Sequence, residues 1–347
     1  MIRRSSLLLA LVLAPVLPAP AAHAANGLRP RTPAVFENVA CVQTVTQGEV
    51  LNLEYSVPYD DLERTPEELP DTRVHQFFAF SRTRYDFSFP IYINQSDFDR
   101  SAANGDQTVE YTADDILESS SLWPAGTWVR ITADDARVPI TAAQAAMGVT
   151  WDTSSVAPGT WMVAGYTWEP EKNLWSPRFG AVRVVDPASP EATGPTVFMP
   201  RQDGLLANRG EPMAVQGCIE APEGSTLTAS WGTIAGGSGG VGEPEWVPFV
   251  EDEPVQTGEL ALEFVAPAEA GGTVKLRVEI TDPDGRSYVA FTPTTIAVVG
   301  EVVETDDDGG GGCACANERP RGPWALLGLL GLLGPRFRRR QVLRRAC

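Results

Sequence analysis

From Thr273 to Thr281 apolar and polar residues alternate strictly, with Val274, Leu276, Val278 and Ile280 on one side and Lys275, Arg277, Glu279 and Thr281 on the other. A period of two is that of a strand with one face on a core and the other in water. The runs Val50–Val57 and Thr226–Trp231 are equally short, and Pro, Gly and Asp punctuate the chain between them. Hardly any long stretch has helical period. The pattern predicts an all-β chain of antiparallel sandwiches.

The plan occurs twice. Pro33-Ala34-Val35-Phe36 aligns with Pro195-Thr196-Val197-Phe198, and the same offset of 162 matches Gly48-Glu49 to Gly210-Glu211 and Leu51 and Leu53 to Met213 and Val215. Farther on, Pro158-Gly159-Thr160-Trp161 aligns with Gly271-Gly272-Thr273-Val274, Glu169-Pro170 with Asp282-Pro283, and Trp175 with Tyr288, at an offset of 113. The first copy therefore carries about 49 additional residues between the two matched regions. Pro187, Pro190 and Pro195 punctuate the polar stretch Asp186–Pro195 between the copies. This divides the chain into domain 1, residues 25–188 with an insertion, and domain 2, residues 189–300.

Val156-Ala157-Pro158-Gly159-Thr160-Trp161 and Thr281-Asp282-Pro283-Asp284-Gly285 combine Pro/Gly turns with alternating strands. In these phrases the copies resemble bacterial immunoglobulin-like or fibronectin-type surface domains. The resemblance implies two tandem immunoglobulin-like sandwiches.

The copies differ on one face. Aligned with the second, the first copy points Trp161, Val163, Gly165 and Thr167 inward, leaving Met162, Ala164, Tyr166 and Trp168 outward where the second copy has charge. Large exposed apolar patches are uncommon, so something should cover this one. Part of the insertion is one candidate cover. The other reading is an open aromatic platform for glycan, with Tyr166, Trp168 and Trp175 stacking on sugar rings. Six of the nine tryptophans fall between 123 and 175, in the same region.

Both ends read as processing segments. Residues 1–24 have a basic start (Arg3, Arg4), an apolar run Leu7–Leu13 and a small-x-small site, Ala22-His23-Ala24, which is the order of a secretory leader. At the other end an acidic Gly-rich linker, 301–312, leads to Cys313 and Cys315, the apolar run Trp324–Leu333 and a basic end containing Arg338, Arg339 and Arg340. As a helix at ~1.5 Å per residue the run covers roughly half of a ~30 Å bilayer core, suiting a transient transmembrane helix rather than a permanent one. The order of the tail, residues 313–347, resembles the MYXO-CTERM sorting tail of myxobacterial surface proteins. That resemblance implies a sorting protease, cleavage near the cysteine and attachment to the membrane or outer surface through Cys313 or Cys315.

The whole chain has 27 basic and 45 acidic residues, a net charge of -18. Two basic residues lie in the leader and eight in the tail 313–347, and across these two segments Glu318 is the one acidic residue; 17 basic and 44 acidic residues remain, a net charge of -27. So acidic a surface excludes nucleic acid as a partner, because phosphate neutralisation needs a basic one.

Candidate chemistry is sparse. With His23 in the leader, His75 is the single histidine left for a catalytic triad, and it stands on a Phe-rich strand that reads as packing. Cys41 and Cys218 have no paired ligand spacing, so no metal or cofactor is expected; in an oxidising compartment they either pair between the domains or stay free. Asn94 to Ser101 has oxygen ligands at alternating positions, as a calcium loop has, but lacks the EF-hand's glycine and terminal glutamate. The carboxylate pairs Asp114-Asp115 and Asp134-Asp135 are ordinary in so acidic a chain. The expectation is a non-enzymatic, surface-anchored structural or adhesive protein, with a glycan or protein as ligand.

Overall fold

The computed structural model describes residues 32–63, 72–81, 84, 87–103, 111–168, 173–201, 205–234, 243–270 and 272–300. The leader, the linker, and the tail with Cys313, Cys315, Arg338, Arg339 and Arg340 lie outside the described residues, as does the Glu169-Pro170 turn.

The first copy contains β1 (Val35–Phe36), β2 (Val42–Thr46), β3 (Val50–Leu53), β4 (Tyr55–Ser56), β5 (Val74–Phe80), β6 (Trp128–Arg130), β7 (Val138–Pro139), β8 (Val149–Asp152), β9 (Gly159–Thr167) and β10 (Leu174–Val185). The second contains β11 (Thr196–Phe198), β12 (Leu206–Asn208), β13 (Pro212–Glu220), β14 (Thr226–Thr233), β15 (Val247–Pro254), β16 (Gly258–Val265), β17 (Gly272–Thr281), β18 (Ser287–Phe291) and β19 (Ile296–Val299). One sheet of the first copy runs β2-β10-β9-β5-β6, with β7 also on β5, and faces the pairs β3-β8 and β1-β4. The second copy sets β12-β19-β17-β14-β15, with β18 on β17, against β11-β13-β16. These are two immunoglobulin-like sandwiches, each with its own core between its sheets.

The repeat extends to the register. Leu51 pairs with Trp151 and Leu53 with Val149, and at the aligned positions Met213 pairs with Phe264 and Val215 with Leu262. In both copies one pair of strands is parallel: β2 with β10, and β12 with β19. Gly48 and Gly210 hold the same turn with φ of 95° and 76°, a region that glycine enters without steric cost. One aligned pair needs correction. Leu174 pairs with Thr167 as Tyr288 pairs with Ile280, so Leu174, rather than Trp175, occupies the position of Tyr288. Six residues separate Thr167 from Leu174 and seven separate Ile280 from Tyr288, which accounts for the slip.

The pairing also locates the insertion. Phe77 opposite Gly165 corresponds to Ala229 opposite Val278, so the offset between copies is 162 at β3, 152 at β5 and 113 at β9. About ten extra residues precede β5 and the rest follow it. Most lie between β5 and β6, where helix α1 (Gln95–Ala103) is found. Asn94 Oδ1 accepts the Asp97 amide at 2.8 Å, capping the first turn. Asn94 to Ser101 is thus a capped helix and not a calcium loop, since helical backbone turns its polar side chains away from a common centre.

Candidate functional site

β9 is buried along both sides, unlike its counterpart β17. Its inward residues Trp161 and Val163 join the sandwich core, whereas Ala164, Tyr166 and Trp168 belong to a separate aromatic core on the opposite side of the sheet. That core is closed by the insertion through Tyr92, Ile93, Ile116, Leu117 and Trp123, with Phe78 and Phe80 of β5 beneath them.

Tyr166 and Trp168 are each 1 % exposed, and Trp175 is half-buried. The Trp175 ring stacks on Phe89 with centroids 4.7 Å apart and donates its Nε1–H to the Pro90 carbonyl at 2.8 Å. Tyr166 packs against Trp175 at 4.8 Å, and its hydroxyl donates to the Ile91 carbonyl at 3.4 Å. Burial raises the Tyr166 phenol well above its ordinary pKa. Arg100 of α1 lies over the Trp168 ring, 4.5 Å from its centroid. The aromatic platform is therefore not an open ligand surface: the insertion covers it, because apolar rings on the outer side of a sheet are stable only when something excludes water from them.

The remaining candidates are held in structural roles. His75 is 1 % exposed; its Nε2 lies 2.9 Å from the Thr32 carbonyl and its Nδ1 is sealed without a hydrogen-bond partner. Burial lowers its pKa, opposed by the Thr32 contact and by Asp61. Among the described residues no nucleophile is joined to it by a hydrogen bond in the triad manner. Asp114 accepts hydrogen bonds from the amide and hydroxyl of Ser121 at 2.7 and 2.8 Å, and Asp115 caps Thr112. Asp134 accepts from Gln76 at 2.8 Å and pairs with Arg130 and Arg137. Arg137 also pairs at 3.3 Å with Asp97, whose carboxyl pKa burial raises despite that partner. In the Asp282-Pro283-Asp284-Gly285 turn, the Asp282 carboxylate accepts from the amides of Asp284 and Arg286 and from the Arg286 guanidinium. Among the described residues no group of three or more His, Cys, Asp or Glu side chains could hold a metal, and no helix is long and apolar enough to cross a membrane.

What the structure brings together is the junction between the copies. Cys41, just ahead of β2, is bonded to Cys218 of β13, with Cα atoms 6.1 Å apart at a sequence separation of 177. Around the bond, Thr44 donates to the Glu220 carboxylate at 2.7 Å and the Thr160 and Thr196 hydroxyls lie 2.7 Å apart. Arg183, 9 % exposed, donates through Nε and Nη2 to the Gly194 carbonyl at 3.2 and 2.7 Å and pairs with Glu220 at 3.4 Å. The outer face of β9 is thus divided: Thr160 meets domain 2, Met162 lines the cleft beside Phe198 and Met199, and the insertion takes the rest. Sequence reasoning reached the two cysteines but missed Arg183, Glu220, Thr44, Thr160 and Thr196. The one available signal was Arg183 itself, the lone charge in Ala181-Val182-Arg183-Val184-Val185.

No family model matches the chain, and no curated protein matches it. Several solved structures do at low similarity. A three-immunoglobulin-domain fragment of titin, an E-to-A variant, is 8% identical, with a TM-score of 0.20 over 78% of this chain and 66% of that one. A protein described as membrane-anchored from Corynebacterium diphtheriae is 14% identical, with a TM-score of 0.19 over 80% and 56%. A tetra-tandem repeat from the extending region of a large adhesion protein is 12% identical, with a TM-score of 0.19 over 74% and 49%. The chain thus spans from about half to about two thirds of the length of these structures, and the fold assignment rests on the strand pairing above.

Proposed function

We propose that the chain is an exported, non-enzymatic structural or adhesive element held at a bacterial surface, with its two sandwiches acting as one stiff unit on the acidic tether 301–312. The observation that carries this reading is the Cys41–Cys218 bond. Disulfides persist in oxidising compartments, in agreement with the leader-like residues 1–24. This bond joins two domains rather than the sheets of one, which serves stiffness and not the folding of a single core. The burial of Tyr166 and Trp168 removes the surface on which a glycan reading depended. The carboxylates described above are engaged in capping and ion pairs, which supports a role without catalysis. In the same reading the tail 313–347 is a sorting signal, cut near Cys313 or Cys315 with loss of Arg338, Arg339 and Arg340, and a sorting protease is the processing partner.

The test is to express the full chain, and a chain ending at Gly312, in a myxobacterial host. Antibody labelling of intact cells and mass spectrometry of the labelled protein follow. The full chain should be found on the surface without Arg336–Arg345, and the shortened chain in the medium. Retention of the full chain inside the cell, or an intact arginine cluster on the surface protein, would refute the reading.

A further inference from the structure

We infer that the Cys41–Cys218 bond is a mechanical bypass: once the short lead with β1 has peeled from β4, tension along the chain passes from residue 41 directly to residue 218 and leaves domain 1 beyond Cys41 unloaded. Cys41 immediately precedes β2, and Cys218 lies in β13, the third strand of the second copy. The closed covalent loop contains β2 through β12, hence both sheets of domain 1 except β1, the insertion with its aromatic core, and the stretch between the copies. A pull applied ahead of Thr32 and after Gly300 cannot lengthen any of it while the bond is intact.

The bypass falls where the fold is most directly opposed to tension. In each copy an early strand runs parallel to the last, β2 with β10 and β12 with β19. Pulling the start of one strand against the end of its parallel neighbour slides them along their length and loads the ladder between them at once. β2 and β10 both lie inside the loop, so neither is pulled. β12 lies inside it too, and β19 outside, so in domain 2 the load enters at Cys218 on the opposite sheet instead of through β12.

The hydrogen bonds beside the disulfide have a matching place. Thr44–Glu220, Arg183–Gly194 and Thr160–Thr196 cross between the copies close to the bond, so the two sandwiches keep one relative setting while the disulfide carries load. Reduction would transfer the load to these contacts and to the β2–β10 ladder, and from there to the stretch 186–195. The inference concerns the covalent path alone, so it stands whether or not the surface reading holds; in that reading it protects the larger domain from force applied through the tether.

Single-molecule pulling of the full chain, with handles ahead of Thr32 and after Gly300, tests it. Unreduced, the chain should give a contour gain on the order of 30 nm, from residues 219 to 300 at ~3.3–3.6 Å each plus the short lead before Cys41. Adding a thiol reductant during the pull should release about 60 nm more, the length of chain that the bond spans at a sequence separation of 177. Cys218→Ser should show the larger gain without reductant. Because that variant could fold less well, the reductant jump on the native protein stands as the independent readout. A native, unreduced trace that already contains the 60 nm release overturns the inference, as does a reductant-insensitive trace that stays short.

Discussion

The two sandwiches share strand order and register, yet treat the outer side of their central strand in opposite ways. On β17 that side carries Arg277 and Glu279, which pair at 2.8 Å and are partly exposed. On β9 the matching side carries Ala164 and Tyr166, buried under the insertion. The inner sides are alike: Val163 and Leu276 each fill a sandwich core. The difference shows that the polarity of a sheet's outer face reports what lies on it rather than which fold the sheet belongs to. One sandwich plan therefore supports either a wet face or a second core, depending on a loop that the plan does not contain.

Exchanging the two faces is the severest way to break the comparison. Ala164→Arg places in the first copy the residue that the second has at that position. Ala164 is fully buried among aromatic rings, so the guanidinium would be unpaired and overpacked. Such a change costs more than about 4 kcal/mol and leaves no cooperative transition for the first sandwich. Thermal melting followed by near-ultraviolet circular dichroism checks this, and a native-like melt would mean that the insertion lifts freely off the sheet.

Much of this contrast was legible in the residues themselves. The alternation Val274 to Thr281 and its apolar counterpart Met162 to Trp168 identified both the core side and the face needing a cover, because the period of two is local and strict. Gly48 and Gly210 marked the same turn because positive φ limits what a residue there can be. The insertion's internal arrangement was not legible. Whether Asn94 to Ser101 forms a loop or a helix depends on Asn94 capping α1 and on Asp97 being buried against Arg137, forty positions away. The junction was hidden for the same reason: Arg183 finds Gly194 and Glu220 only once two copies are docked, and no alternation within one strand announces a contact with another domain.

Removing the link between the copies should have the next largest effect. Cys41→Ser opens the enclosed loop and should lower stability by about 2–4 kcal/mol. Calorimetry should then resolve two transitions in place of one, since the junction contacts described above, a few hydrogen bonds, the Arg183–Glu220 pair and the apolar contacts of Met162 with Phe198 and Met199, are small beside either core. A single unchanged transition would mean that those contacts alone couple the sandwiches.

A pH dependence should separate the copies more gently. His75 on β5 is buried, where the matching position on β14 holds Leu227. Burial holds the folded-state pKa of His75 below its ordinary value, so the unfolded chain takes up the proton first as pH falls. Its contribution is therefore complete above about pH 6.5 and is lost as pH drops from there toward the folded value, at no more than about 1.4 kcal/mol per pH unit. Urea unfolding at pH 7.5 and 5.5 should show this loss in the native chain and a smaller one in His75→Leu. Equal losses would place the acid sensitivity among the carboxylates instead.

The mildest change is the reverse of the first. Arg277→Ala gives the second copy the residue that the first has at Ala164, but here the position faces water beside Glu279. A partly exposed ion pair is worth roughly 0–1 kcal/mol, since screening and side-chain ordering offset most of its attraction. The β17 backbone and its inner row, Val274 to Ile280, are untouched by the change. The expected loss is under about 1 kcal/mol, read as a small shift in the urea midpoint with an unaltered slope. Set beside the collapse expected for Ala164→Arg, it measures how strongly the insertion has made one face of a repeated plan dependent on staying apolar. A comparable loss from both variants would mean that β17 also has a cover, and that the difference between the copies is one of residue type rather than of what packs on them.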